Sequence, residues 1–238
     1  MTNGPLQLPG PPSATWRTDL EPDALPPTPE LTGGQRRVLA AAMGLFATKG
    51  FVASTTRDIA AELGMQAPSL YNHFASKDAI LERLVLFGWA HAHSELLSAL
   101  VHAGSSPTAQ LEALVRTHVL MSCEFPRLTL VIGTETAHLA PEPLAIVRNH
   151  RQATRDLLAQ VLRRGHDEGS FHIAHLRTTM WTLAAMGQSA AVQYPYQPEI
   201  HAAEFAEEFV ALALRVAGVA ATLSSSAGSD AAVDAQAG

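Results

Sequence analysis

The chain has 238 residues, 47% of them hydrophobic, a formal net charge of −6 and a single cysteine. That length holds one large domain or two modest ones around a real core; the lone Cys123 excludes an intramolecular disulfide or a cysteine-rich zinc site and fits a reducing cytoplasm. The acidic balance argues against nucleic acid until it is divided: residues 32–84 carry six Lys/Arg against four Asp/Glu, and every other part of the chain is acidic.

No run of about 18 apolar residues lacks polar or charged breaks, so no membrane-spanning helix and no membrane partner are expected. The N-terminus has no basic start followed by an apolar stretch, so it does not read as a secretory signal, and a cytoplasmic protein is expected. Residues 1–31 hold eight of the fifteen prolines, as in PGPPS and DALPPTPE, and read as a disordered tail. Residues 220–238, small and polar, read the same way.

Between the tails the periodicity is helical. Val38, Ala41, Ala42, Leu45 and Phe46 share one face, and Lys49 with Gly50 forms a stop signal. Thr55 opens a capping box with Asp58, and Ile59, Ala60 and Leu63 face inward from the second helix. Gly64 supplies a left-handed turn, Pro68 suits the first position of a third helix, and Ser76 caps a fourth. No alternating β-branched run is present, so the class is all-α. Cys123 stands near Met121 and Phe125, where an inert buried thiol is expected.

The third helix anchors through Leu70 and Phe74, at i and i+4. At about 100° per residue its opposite side is centred on Asn72, with Pro68 and Ser69 near it and Tyr71 and His73 on its flanks. Such a polar ridge fits a major groove about 12 Å wide, and its amide, hydroxyl, phenol and imidazole groups suit base edges and phosphates. Lys77, with the capped start of the fourth helix, suits a phosphate. A three-helix packing unit with an ordinary polar face has the same spacing.

The run RRVLAAAMGLFATKGFVASTTRDIAAELGMQAPSLYNHFASKDAIL, from Arg36 to Leu81, resembles the DNA-binding domain of the TetR family of transcriptional regulators. LFATKGF, STTRDIAAELG and SLYNHFASKDAIL carry the likeness. It implies a helix-turn-helix over about 55–74 within a DNA-binding domain of 32–92, and a C-terminal ligand-binding and dimerisation domain over 93–219. It assigns DNA contact to Thr55, Thr56, Arg57, Gln66, Ala67, Ser69, Tyr71, Asn72, His73 and Lys77, and the module's core to Phe46, Ile59, Leu63, Leu70 and Phe74. Two departures stand out. Ala67-Pro68 opens the recognition helix, and residues 65–75 contain no Arg or Lys to read guanine.

Residues 80–219 exceed what a DNA reader needs. Breaks fall at Gly104-Ser105-Ser106-Pro107, Pro126, Pro141-Glu142-Pro143 and Gly169. Candidate ligand contacts are Phe87, Met121, Phe125, Leu128, Met180 and Trp181, with plain core as their default. Arg148, Arg151 and Arg155 form one stripe that reads first as a solvated face. The resemblance implies that the last two helices pair with a second copy of the chain, through Leu183, Gly187, Ala190, Tyr194, Phe205, Phe209, Leu212 and Val216. RRGHDEGSF through TMWTLAAMGQSAAVQYPYQPEI is further similar to the family branch that senses acyl-CoA or steroid-derived CoA thioesters, giving the arginine stripe a second use on a CoA phosphate.

Eleven histidines raise the question of catalysis or metal, but no H-E-x-x-H, GxxxxGK[ST] or GxSxG is present, so no enzyme, cofactor or metal site is expected. The expectation is a homodimeric repressor on double-stranded operator DNA, released by a small hydrophobic effector of which an acyl-CoA is one form. A helical ligand-binding or scaffold protein without DNA activity, or an activator of the same family, are the alternatives.

Overall fold

The computed structural model describes Glu21 and residues 24–219, and every regular element among them is helical. The C-terminal tail and most of the N-terminal tail lie outside the described residues.

Helix α1 (Gly33–Ala53) starts on a capping box between Thr32 and Gln35. Gly50 takes φ +81°, a left-handed value that ends the regular helix where the sequence signals a stop; one further turn carries the chain to Ala53. In α2 (Thr56–Glu62) the box between Thr55 and Asp58 is formed in both directions. The third helix, α3 (Ala67–Leu70), is a single turn with Pro68 at its second position, not its first. Backbone bonds from the His73 and Phe74 N–H groups to the Leu70 carbonyl, 3.0 and 3.1 Å, continue the coil to Phe74. Helix α4 (Lys77–His102) is capped by Ser76, whose hydroxyl accepts from the Ala79 N–H at 3.0 Å.

The body follows as α5 (Pro107–Glu124), α6 (Pro126–Thr134), a 3-10 turn at Glu135–His138, α7 (Pro141–Asp167), α8 (Leu176–Ala184), α9 (Met186–Gln193), a 3-10 turn at Tyr194–Tyr196, and α10 (Ala202–Val216). Pro107, Pro126 and Pro141 each open a helix, where a missing N–H costs nothing. Ala185 separates α8 from α9, so Leu183 of the assigned dimer seam stands on a different helix from Gly187 and Ala190.

Two apolar clusters hold the molecule. One joins α1–α3 to the first half of α4, to α6 and to the start of α7, with Phe46, Ile59, Leu70, Leu84, Val131 and Val147 buried together. The other joins α5 to the second half of α7 and to α8–α10, around Leu111, Leu162, Phe171 and Phe205. Cys123 is buried in the second cluster, as expected.

Two expectations about boundaries are corrected. A tail reaching residue 31 is too long: Leu25 and Leu31 are buried in the first cluster, and the Arg36 guanidinium holds the Leu25 and Pro26 carbonyls at 2.6 and 2.9 Å. Two leucines gave this segment apolar area that its prolines masked. The division at 92/93 falls inside α4, which runs through it unbroken and serves both clusters. Helix α4 is also, by length and composition, apolar enough to cross a membrane. Here it packs against α1, α5, α6 and α7, as a core helix does.

Candidate DNA-reading surface and internal cavity

The helix-turn-helix presents its polar ridge outward. Arg57, Gln66, Pro68, Ser69 and Asn72 are exposed, Tyr71 is 54% exposed, and Thr56 and Ala67 are half-buried. Arg57 has no carboxylate partner among the described residues, which leaves its charge free for a phosphate. Thr55 is exposed but occupied: its hydroxyl donates to the Asp58 carboxylate at 2.9 Å and accepts from the Asp58 N–H at 3.1 Å. The Thr55 hydroxyl and the Thr55 N–H, which donates to the same carboxylate at 2.8 Å, together with Lys49 at 3.2 Å, hold the Asp58 carboxyl below its ordinary pKa.

Two residues assigned to DNA contact sit elsewhere. His73 turns back onto α1, so close that a Cβ on Gly34 would fall 2.4 Å from its ring. Lys77 is a staple inside the protein. Its ammonium donates to the Phe51 and Ser54 carbonyls at 2.7 and 2.8 Å and lies 4.1 Å from the centre of the Phe51 ring. The turn after Gly50 leaves carbonyls without helical partners, and the lysine side chain meets them. Arg37, not singled out from sequence, is exposed on the first turn of α1.

The same turn is gripped from the body. The Glu135 carboxylate accepts from the Phe51 N–H at 3.3 Å, and His138 lies 3.5 Å from that carboxylate, its ring 5.5 Å from Phe51.

A cavity of about 390 Å³ lies within the body, walled by α4–α9. Five of the nine expected ligand contacts line it: Met121, Phe125, Leu128, Arg151 and Arg155. Four do not. Phe87 faces a separate groove beside the N-terminal segment, Met180 packs into the second cluster, Arg148 is exposed, and Trp181 is 57% exposed beneath the Arg177 guanidinium. Residues the sequence did not single out complete the lining, among them Trp89, His91, Leu114, His118, Leu158 and Gln188. They come from separate helices, and only the packing brings them together.

The charge in this cavity belongs to α7. Arg151 is half-buried with its guanidinium 5.3 Å from the centre of the Trp89 ring; burial and then Arg155 lower its pKa. Arg155 donates to the Gln152 amide oxygen at 2.8 Å. Neither arginine meets a carboxylate among the described residues, and both line the cavity, so the solvated face expected first is corrected for these two.

The neutral polar groups lie on the opposite helices. His118, on α5, is pressed flat on α9: a Cβ on Gly187 would fall 2.2 Å from its Nε2. Burial holds its pKa at about 4, so the ring is uncharged near neutrality. Gln188 follows Gly187 and packs on Gly133 of α6. His91 lies between the rings of Phe87 and Phe125, at 6.3 and 6.0 Å, with its pKa lowered by burial.

The residues assigned to a dimer seam divide. Leu183, Gly187, Ala190, Tyr194 and Phe205 are buried within the protomer's own core, the Tyr194 and Phe205 rings tilted against each other with centres 5.4 Å apart. This is a correction for those five: α9 and α10 both spend one apolar face on α5, α8 packs on α7 and α9, and Tyr194 meets Phe205 in the second cluster. Phe209 and Val216 are half-buried, and Leu212 is 45% exposed. Trp181 and Val192 add exposed apolar surface on α8 and α9.

Comparison with known proteins agrees with this architecture. Residues 38–84 match the family described as bacterial regulatory proteins, tetR family, and residues 104–217 match a tetracyclin repressor-like C-terminal domain. The HTH-type transcriptional repressor KstR2 of Rhodococcus jostii is 31% identical over 168 residues, covering 66% of this chain and 82% of the relative. A solved tetR-family regulatory protein from Rhodococcus RHA1 superposes with a TM-score of 0.73 at 26% identity, over 80% of this chain and all of that one. AibR, solved with isovaleryl coenzyme A and operator DNA, shares the fold with a TM-score of 0.67 at 19% identity, over 75% and 97% of the two chains. The chain belongs to the TetR family of bacterial regulatory proteins and is a DNA-binding transcriptional repressor, not an enzyme.

Proposed function

We propose that two copies of this chain hold a twofold operator in the cytoplasm and release it when an amphipathic anion enters the cavity. The effector has an apolar body and an acidic head, as an acyl-CoA does. One observation carries this reading: two half-buried guanidiniums, without carboxylate partners among the described residues, line an otherwise largely apolar cavity. Buried charge is costly unless paired, so a ligand carrying the opposite charge gains what the fold leaves unmet. Arginine suits carboxylate or phosphate by its bidentate geometry. The acyl body would occupy the cavity; the larger nucleotide part of a CoA would extend beyond it. AibR, which binds isovaleryl coenzyme A, supports this chemistry as a structural neighbour.

On the DNA side, Arg57, Gln66, Ser69, Tyr71 and Asn72 are the proposed contacts, joined by Arg37 on phosphate. Members of this family dimerise, and the proposed seam runs over Trp181, Val192, Leu212 and the half-buried Phe209 and Val216. A twofold dimer presents two reading heads about 34–36 Å apart, one turn of duplex. An effector favouring protomers whose heads have another separation weakens DNA binding by the same factor that DNA weakens effector binding.

The test is a titration of operator-bound protein with dodecanoyl-CoA, free CoA, dodecanoate and the uncharged dodecan-1-ol. Release by the thioester, weakened at least tenfold in Arg151→Ala and Arg155→Ala, is expected. Release only by uncharged hydrophobes, indifferent to both arginines, refutes the reading.

A further inference from the structure

We infer that His118 and Gln188 form a neutral polar subsite that selects effectors bearing an uncharged carbonyl or hydroxyl oxygen on the apolar body. The inference rests on the proposed amphipathic effector and adds a second recognition point to it.

Both side chains line the cavity, and neither hydrogen-bonds any described residue. Ser122 and Thr154 in the same lining are satisfied locally: the Ser122 hydroxyl donates to the His118 carbonyl at 2.8 Å, and the Thr154 hydroxyl donates to the His150 carbonyl at 3.0 Å. His118 is half-buried in the cavity wall and uncharged near neutrality, so it offers one N–H donor and one acceptor nitrogen, and neither is met by a described residue. Both residues are half-buried and face the cavity. A ligand that covers them must meet their hydrogen-bonding groups or leave them unpaired at a desolvation cost.

Their placement is fixed. The imidazole lies flush on Gly187, where no side chain would fit, and Gln188 follows directly, held against Gly133. The α5–α6–α9 corner thus carries neutral donors, whereas both guanidiniums come from α7. An anionic head suits the arginines. A neutral imidazole and an amide suit a neutral oxygen, to which both can donate. A fully saturated body would leave them unpaired, and a site built to hydrogen-bond rejects a ligand lacking the group.

Calorimetry with dodecanoyl-CoA, 10-oxododecanoyl-CoA and 10-hydroxydodecanoyl-CoA tests this. Wild-type protein is expected to bind at least one oxygenated probe about tenfold more tightly than the saturated one. His118→Leu should erase that preference and bind dodecanoyl-CoA as tightly or more tightly, with its fold confirmed by circular dichroism. Gln188→Leu, at a half-buried position, gives a second measurement of the same preference should His118→Leu not fold. Equal binding of all three probes, unchanged in both variants, overturns the subsite but leaves the amphipathic effector standing. Failure of every probe to bind overturns both.

Discussion

Lys77 separates a fold role from a DNA role by measurement. Lys77→Met keeps the aliphatic stem and removes the ammonium, stranding the Phe51 and Ser54 carbonyls that it holds at 2.7 and 2.8 Å. A hydrogen bond to a charged group is worth about 1.5–3 kcal/mol and a cation over an aromatic face about 0.5–1 kcal/mol. The site is half-buried and the terms are not additive, so a total near 3 kcal/mol is the working figure. For a chain of this size that corresponds to a fall in Tm of about 6–12 °C. Melting should be compared at equal protomer concentration, because dimerisation shifts it. Operator affinity should then be measured across a range of salt. A lysine on phosphate contributes about 0.9 to the slope of log affinity against log salt; the internal staple contributes none. A variant with unchanged Tm and a slope lower by about 0.9 refutes the structural role and returns Lys77 to the phosphate.

The remaining predictions concern the seam and the cavity imidazole. Leu212→Arg should give a helical monomer by sedimentation with lost operator binding, whereas Phe205→Arg, in the protomer's own core, should unfold the chain; a Leu212→Arg protein that stays dimeric and holds operator refutes the seam. His118 has a pKa of about 4 in the fold against an unperturbed 6.5, so between those values the unfolded chain binds the proton that the folded chain refuses. Its contribution is complete above about pH 6.5 and is lost as pH falls toward 4, about 2 kcal/mol of it by pH 5. Urea unfolding at pH 7 and pH 5 should show His118→Phe losing that much less stability than wild type; identical pH dependence in the two proteins counts against a ring that the fold holds neutral.

Which features were legible in the sequence follows from the distance over which each is determined. The Thr55–Asp58 box, the Gly50 stop and the Ser76 cap are made within four residues, and all three stand where the local pattern put them. The LYNHF run likewise carried Leu70 and Phe74 to the inside and Tyr71 and Asn72 to the outside. Lys77 was misassigned because its partners, Phe51 and Ser54, lie 26 and 23 residues back; a basic residue at a capped helix start looks the same whether it meets phosphate or carbonyl. The arginine stripe was visible by spacing, but its division was not. Arg151 and Arg155 turn to the cavity and Arg148 does not, and that depends on where α4 crosses α7. The apolar faces of α9 and α10 were also visible. Periodicity alone cannot say whether such a face meets α5 of the same chain or a helix of a second copy.

The fold brings cavity and reading head onto shared elements, which is what a coupling free energy requires. Helix α4 begins beside the helix-turn-helix at Lys77 and lines the cavity from Gly88 to Leu96. Helix α6 lines it from Leu128 to Thr134, and the next residue, Glu135, holds the Phe51 amide of the α1 turn. Gly88 of α4 meets Ile132 of α6 so closely that a Cβ there would fall 2.5 Å from the isoleucine side chain. The two helices cannot close further at that point, so under the proposed mechanism an effector that presses α6 toward α4 moves α4, and one that draws α6 away pulls on Glu135. Both routes end at the same turn, where Lys77 holds Phe51 from one side and Glu135 with His138 holds it from the other. Under the proposed mechanism the signal therefore needs no long path: the wall that the effector touches is one residue from the contact that sets the head.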